Sequence, residues 1–583
     1  MNFAPGTKWL EKVGCYRTIS GMKAREKKIK DVPVPVGEEA GLKSKDRVLA
    51  NVEAMLKAPS MGVGPDMVIV VSSSDAGADF WQKRLTGQDG VHGSGTIVKT
   101  SAVVLSVSES NWHGSAGNGL GTINAFYMAG KMALRLGLIG PGKDDLDDIL
   151  NLFTAFSRHK SVFMFHTAGK GTRLSPLTAA EHNSKSRIKL PGIVETKKGR
   201  ETITVLELVI RAAAIYAPTR EGRVSVFWGD QVLLNEFDVS SDGRYHIEIF
   251  AQPVPLDESI KSYGIIIPGK DGDCLVREKL PVSRVREMFP ELSDRVYRSV
   301  GSFSLSLDLF ERLVVSEKQA LISREGALNT DNDWWQALTS TIEEYAALSL
   351  EKGIPAVIAG ERWRKTRKVC DEFISGGKHG QGSERMVGFK DTGENSLWMD
   401  YGRNSCLFEN ILLLTGTSSA ALQARTFFGL EVESGKGLTN TGAAAENSVI
   451  VNSRLGAGNV KNCVIVSSDI EEVNAVDSVI IGSDIIKLNS VGALCYNVVS
   501  SLEDLKKGDI LVNVFHPEKG AIEMRTDISR NGQADWEDGT KIGENIFSYP
   551  ELSEVIRKVS EQDMLKAREI AFSEIRKERK NNG

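Results

Sequence analysis

Three short segments recur at a spacing of fifteen residues: NSVIVNS from Asn447, NCVIVSS from Asn462 and DSVIIGS from Asp477. An aliphatic triplet flanked by Asn, Asp, Ser and Gly at a constant period is the pattern of stacked coils. Each unit is too small to bury its apolar side alone and must lean on the next. The repeat predicts a parallel β-helix over about 435–530. The competing reading is three strands of an ordinary sheet.

Upstream the texture is different. MVIVV at 67–71, SAVVLSV, SVFMF and RVSVFWGD read as buried strands, and ADFWQKRL, TINAFYMAGKMALRL, DDLDDILNLFTAFSRH and VLELVIRAAAIYA as the helices between them. Such alternation predicts an α/β domain with a largely parallel, doubly wound sheet over about 66–410, whose ligands collect at the carboxyl ends of the strands. Within it YGIIIPGKDGDCLVREKL reads as a hairpin turning at Asp271-Gly272, and SGGKHGQGSERM near 375–386 as a mobile loop. Residues 1–65 read as an N-terminal extension, 411–434 as a linker, and 531–583 as an amphipathic helical tail with a solvated charged face.

A chain of 583 residues needs several cores. Its net charge of -4 argues against a general nucleic-acid binder. The six cysteines are scattered without a CxxC pair, so neither a zinc ribbon nor a disulfide framework is expected. No run approaches the roughly 18 apolar residues of a membrane span, and MNFAPGTKWLEKV has no apolar signal core; no membrane partner and a cytoplasmic location are expected.

Chemistry enters with FMFHTAGKGTRLSPLT. Gly169 and Gly171 let backbone N–H groups wrap an anion, and Arg173 adds a permanently charged clamp, with Lys185, Arg187 and Lys189 completing a positive rim. The structural alternative is an ordinary glycine turn. Asp230 in WGDQVLL and Asp400 in LWMDYGRN each follow a strand. Brought together they would hold Mg²⁺, which favours oxygen ligands; a lone strand-end Asp is otherwise a cap or turn residue.

GKGTRLSPLT resembles the AGGxGTRLxPLT signature of sugar-1-phosphate nucleotidylyltransferases. The order of motifs is similar to the fucose-1-phosphate guanylyltransferase branch from about 66 to 500: DMVIVVSSSD, then GNGLGTINAF like GSGGxTLNAL, then the Arg-bearing loop, WGDQVLL like SGDVLL, the hairpin, and LWMDYGRNSCLF like WxDxGT. The resemblance implies a Rossmann-like, GT-A-type nucleotidyltransferase domain followed by a left-handed parallel β-helix. It implies that Gly117, Gly119, Gly121 and Thr122 line the nucleoside, that Gly169, Gly171, Thr172 and Arg173 hold the triphosphate, and that Asp230 and Asp400 bind Mg²⁺. Glu278 and Lys279 stand where the family contacts the sugar and its phosphate, with Leu280 in place of the family's proline. Lys185 matches the family's lysine, with Lys189 as the other candidate. The loop is closer to the general family than to the branch's GGQSRRLP, and nothing after 530 matches the bifunctional members' kinase.

The implied partners are an NTP and a sugar-1-phosphate, joined by attack of an already ionised phosphate oxygen on the α-phosphorus, so no general base is required. His113 and His166 then read as packing groups. Base and sugar stay open, as does self-association through the β-helix or the C-terminal helices. One rival is a non-catalytic sugar-nucleotide-binding regulatory or scaffold protein of the same architecture. A β-helix acyltransferase is disfavoured because no histidine lies between 430 and 510.

Overall fold

A computed structural model of the chain describes residues 36–37, 41–87, 96–143, 145–155, 159–196, 199–241, 243–269, 274–375, 385–430 and 442–582. The Asp271-Gly272 turn, most of the 375–386 loop and most of the N-terminal segment lie outside them.

A run such as MVIVV, apolar on both faces, is stable as a strand only when both faces are covered. The strand β1 (Met67–Ser72) is buried at all six positions. It pairs in parallel with β2 (Val103–Ser108) on one side and β3 (Ser161–His166) on the other. The strand Arg223–Trp228 extends this parallel set beyond β3. Because the chain leaves β1 toward β2 and returns to β3 on the opposite side, the loops at the carboxyl ends of β1 and β3 diverge and open a crevice.

The sheet was expected to be largely parallel, but past Arg223–Trp228 it is mixed. Arg295–Ser306 runs antiparallel to that strand and also pairs with Tyr245–Pro255 and Gly264–Pro268, the latter in a hairpin with Cys274–Glu278. Arg385–Asp391 closes the nine-stranded sheet. A hairpin needs no helical crossover, so antiparallel neighbours follow directly from it.

Two stretches expected to lie outside the domains are core. Helix α1 (Ser44–Lys57) buries Val48, Val52 and Met55, and its buried Asn51 amide donates to the Asn235 carbonyl at 2.9 Å. Part of the expected linker forms the helix Ser419–Phe428, which buries Ala424 and Phe427 and packs against α1. In both, the apolar stripe repeats at helical spacing, and it is the sheet domain that covers it.

In the second module the repeat determines the pairing. Val449, Val464, Val479 and Leu494 stand in successive parallel register, each fifteen residues after the last. A second parallel sheet, from Ala443–Glu446 to Val499–Leu505, alternates with the first along the chain. Its strands meet the triplets at corners where Asn447, Asn452, Asn462, Asp477 and Asn497 take φ between 46° and 56°, a region these short polar side chains tolerate. Between the sheets Ile465, Ile480, Ile470, Ile485 and Leu488 are fully buried. Serine hydroxyls tie the coils together: Ser453, Ser468 and Ser483 accept the backbone N–H fifteen residues on, from Ser468, Ser483 and Val498, at 3.0–3.1 Å.

The tail ends in the long helix Glu561–Asn582. Its charged side, expected to be solvated, carries a buried network in which Arg579 pairs with Asp484 at 2.6 Å and Asp469 at 2.8 Å. The two modules share one apolar core that includes Leu190, Ile203, Val464 and Val479.

Candidate functional site

The loop after β3 begins rigidly, because Thr167 donates both N–H and Oγ1 to the Val71 carbonyl of β1 at 2.8 and 2.7 Å. It then turns through Gly169 and Gly171, at φ +111° and +62°. Gly169 borders open space, whereas a Cβ on Gly171 would stand 2.9 Å from Thr178 Cγ2 and 3.3 Å from Lys185 Cβ. The left-handed conformation favours glycine, the contact with Thr178 leaves no room for a Cβ, and the missing side chain lets Lys185 lie against the loop. A single turn, Thr172–Leu174, follows, with Leu174 buried as an anchor and Arg173 exposed.

The two aspartates meet through a short antiparallel pair, Gln231–Leu234 with Leu397–Asp400, in which Asp400 stands opposite Gln231. Tyr401 N–H donates to the Asp230 carbonyl at 2.8 Å. Lys185 Nζ donates to Asp230 Oδ2 at 2.7 Å. The position a Cβ would take on Gly402 is 3.0 Å from Asp400 Oδ1, 3.1 Å from Asp230 Oδ2 and 3.3 Å from Arg173 Nη2. Two carboxylates and a guanidinium therefore surround one point, with Lys185 alongside. Burial and, next, the Asp230 charge push the Asp400 carboxyl above its ordinary range. A pair of carboxylate oxygens facing a common space, one held up by the other's charge, suits a hard divalent cation. Among the described residues no three His, Cys, Asp or Glu side chains are placed to hold a metal ion together, so a cation at these two aspartates would take its remaining ligands from substrate and water.

Arg187 and Lys189 are not on this rim. Lys189 is half-buried and its Nζ pairs with Glu181 at 2.9 Å, and Glu181 also accepts from Tyr496 OH at 2.8 Å, across the junction of the modules. Arg187 pairs with Glu561 at 3.1 Å and lies over the Phe80 ring at 3.6 Å. The one-turn helix Lys185–Arg187 sends these neighbouring cations in different directions, and of the two candidate lysines Lys185 is the one beside the aspartates.

The first glycine-rich segment is the opening of the helix Gly117–Arg135 and is closed by the chain itself. Gly119 and Leu120 donate their N–H groups to the Leu328 carbonyl at 2.9 and 3.1 Å, and a Cβ on Gly117 would fall 2.5 Å from that oxygen. Gly117 and Gly119 are thus covered by the segment around Leu328, where the resemblance implied a nucleoside. Their lack of side chains is what lets the two chain segments touch. Thr122 is likewise interior, with Oγ1 2.9 Å from His166 Nε2. Burial, then the Lys185 charge, lower His166 to about 3, so it is neutral and packs on Trp228 with ring centroids 5.4 Å apart.

Gly121 faces a residue that sequence reading passed over. A Cβ there would be 2.7 Å from Glu109 Oε1. Glu109 follows β2 directly, its side chain makes no hydrogen bond or ion pair among the described residues, and burial alone pushes its carboxyl up to about 7. A desolvated acid without a partner is costly unless something else engages it. The signal was in the sequence: Glu109 stands just past its strand, much as Asp230 does. With β1 between β2 and β3, Glu109 and the loop of Arg173 stand at the carboxyl ends of strands two apart in the same sheet.

Glu278 and Lys279 end the hairpin and form a second group. Burial, then the charge of Asp331, raise Glu278 to about 7, and Lys279 Nζ lies 3.4 Å from it. Asp331 in turn accepts from Asn118, in the first turn of the helix Gly117–Arg135, at 3.5 Å. Lys279 takes φ +54°, and Leu280, where the family has proline, is buried.

No protein-family model and no curated protein matches the chain. Similar solved structures include a mannose-1-phosphate geranyltransferase from Thermus thermophilus, 14% identical over 68% of this chain and 98% of that one, TM-score 0.27. Another is a putative glucose-1-phosphate thymidylyltransferase from Bacillus anthracis in complex with a sucrose, 13% identical over 63% of this chain and 100% of that one, TM-score 0.18. A third is the uridine diphosphate N-acetylglucosamine pyrophosphorylase from Trypanosoma brucei in complex with inhibitor, 11% identical over 47% and 52%, TM-score 0.16. TM-scores this low carry no weight for fold or activity.

Proposed function

We propose that this chain is a sugar-1-phosphate nucleotidylyltransferase that joins a sugar-1-phosphate to an NTP, giving an NDP-sugar and pyrophosphate. The observation that carries the reading is the convergence of Arg173, Asp230 and Asp400 on one point, with Lys185 bound to Asp230, beside a glycine loop whose Gly169 borders open space. That set can place a phosphate, neutralise it and exclude a wrong orientation, which is what in-line phosphoryl chemistry requires of a protein. Arg173 grips the departing pyrophosphate. Lys185, freed from Asp230 by substrate, moves to the α-phosphate. Asp230 and Asp400 would hold Mg²⁺, which would neutralise charge developing on the phosphate oxygens.

Glu109 supports a preference among bases. A carboxylate accepts two parallel hydrogen bonds, and of the four bases only guanine offers two adjacent N–H donors on its Watson–Crick edge. GTP is therefore favoured over UTP, and fucose-1-phosphate is the sugar the motif order suggests. The two alternating parallel sheets of the second module support reading it as a β-helix, left-handed as in the resembling family, with self-association and a cytoplasmic setting as further expectations.

The test is pyrophosphate release with Mg²⁺ from four NTPs against fucose-, mannose-, glucose-, galactose- and N-acetylglucosamine-1-phosphate. One active pair, silenced by Asp230→Asn in protein of unchanged fold, is the expected result. Silence of the folded wild-type protein on every pair, with NTPs still raising its Tm, would replace catalysis by a binding or scaffold role.

A further inference from the structure

The C-terminal segment does more than cover the second module. Gly532 opens the helix Gly532–Asp538 and is buried. A Cβ on it would be 2.7 Å from the Thr172 carbonyl oxygen and 3.2 Å from the carbonyl carbon and oxygen of Arg173. Backbone therefore rests on backbone at the very turn that projects Arg173. The chain that carries Lys185 is held from the same side. His182 Nε2 lies 2.8 Å from the Val559 carbonyl oxygen, and Asn183 Nδ2 donates to the Ser553 carbonyl at 2.9 Å, with His182 and Asn183 both at positive φ. Arg187 then pairs with Glu561. The segment is itself braced: Arg530 holds Asp535 through two nitrogens at 3.0 and 2.6 Å, and Asn545 both accepts from and donates to the Arg525 backbone at 2.8 and 2.7 Å.

Resting on the catalytic reading above, we infer that residues 531–561 are a clamp that positions the phosphate loop, with Gly532 as its positioning residue. The cationic half of the site is then assembled jointly by the two modules. Substrate affinity and turnover depend on a segment some 360 residues downstream of Arg173 that contributes no side chain to the reacting centre. The contact must be glycine, because any side chain meets main-chain atoms that cannot rotate away.

The decisive experiment is a double-mutant cycle in the full chain, pairing Gly532→Val with Arg173→Ala. A clamp acting through Arg173 lowers kcat/KM at least tenfold in the wild-type background and less than threefold in Arg173→Ala, with the same loss of Tm in both backgrounds and both rates measured on folded protein. Equal losses in both backgrounds, or no loss in either, overturn the proposal. If Gly532→Val does not fold, Gly532→Ala carries the same comparison. A second readout needs no activity: hydrogen exchange at the Leu174 and Ser175 amides, which close the loop's turn on Gly171 and Thr172. Their exchange should rise at least tenfold in Gly532→Val while β1 is unaffected. A wild-type protein without turnover but with this exchange change sinks the catalytic reading and keeps the clamp; unchanged exchange sinks the clamp alone.

Discussion

Gly402→Ala tests the site without altering a single charge. The added methyl would stand 3.0 and 3.1 Å from the Asp400 and Asp230 oxygens and 3.3 Å from Arg173 Nη2. Ordinary van der Waals contact begins near 3.4 Å, so each side chain must give a few tenths of an ångström, and each contact is with the far end of a side chain rather than with backbone. Gly402 is not among the positive-φ glycines, so alanine fits the backbone. The folding cost is that of mild overpacking, about 1 kcal/mol, or a Tm loss of about 1–2 °C in a domain of this size. The catalytic cost is larger, because the methyl occupies the point toward which both carboxylates and the guanidinium are directed. Displacing a reacting group by about 1 Å costs on the order of 100-fold, equivalent to about 2.7 kcal/mol in transition-state binding. Pyrophosphate release under Mg²⁺, read beside thermal unfolding, should show kcat/KM down about 100-fold with Tm nearly kept. An active wild type whose Gly402→Ala variant stays within threefold would mean that substrate phosphate never visits this point.

Other consequences are as specific. Lys185→Gln should abolish most turnover and leave Tm within a few degrees. Lys189→Met leaves the half-buried Glu181 with only the Tyr496 and Asn497 hydrogen bonds, costing on the order of 1–3 kcal/mol, while turnover per folded molecule is kept; the opposite pattern in an activity and melting comparison would exchange the roles of the two lysines. Glu109 has its carboxyl raised in the fold from 4.5 to about 7, so the protonated form is the one folding favours. Its contribution is present below pH 4.5 and is lost as pH rises through 7, so Glu109→Gln should gain stability over wild type between those values and level off above them. A Tm difference that does not change with pH would show Glu109 to be solvated. Ile480→Ala, in the fully buried stack between the parallel sheets, should cost about 2–5 kcal/mol in urea unfolding, and a loss under about 1 kcal/mol would argue against a dry core there.

Local pattern carried far in this protein. A fifteen-residue period is a statement about pairing, since stacked coils put Val449, Val464, Val479 and Leu494 in register whatever else the chain does. The strands of the α/β module, the loop at Gly169–Arg173 and the strand-end aspartates were equally legible, because buried runs and glycine turns are decided by near neighbours. Helix α1 and the helix Ser419–Phe428 were misread as extension and linker because amphipathic periodicity does not say which distant surface will cover it. The glycines at 117 and 119 could not be read further for a related reason: a glycine records that something comes close, and only the fold shows that Leu328 does.

The charges divide along the same line. Sequence by itself placed Arg173, Lys185, Arg187 and Lys189 within one short stretch. Tertiary structure sent Lys185 to Asp230 and turned Arg187 and Lys189 into the junction with the second module. It also left Glu109 half-buried without a partner among the described residues and set Gly532 against the Thr172 carbonyl. The physical reason is range. Backbone conformation and burial periodicity are set by residues a few positions apart, whereas the partner of a charge is whichever opposite group the fold brings within about 4 Å. For Lys185 and Arg187 those partners lie 45 and 374 residues away along the chain.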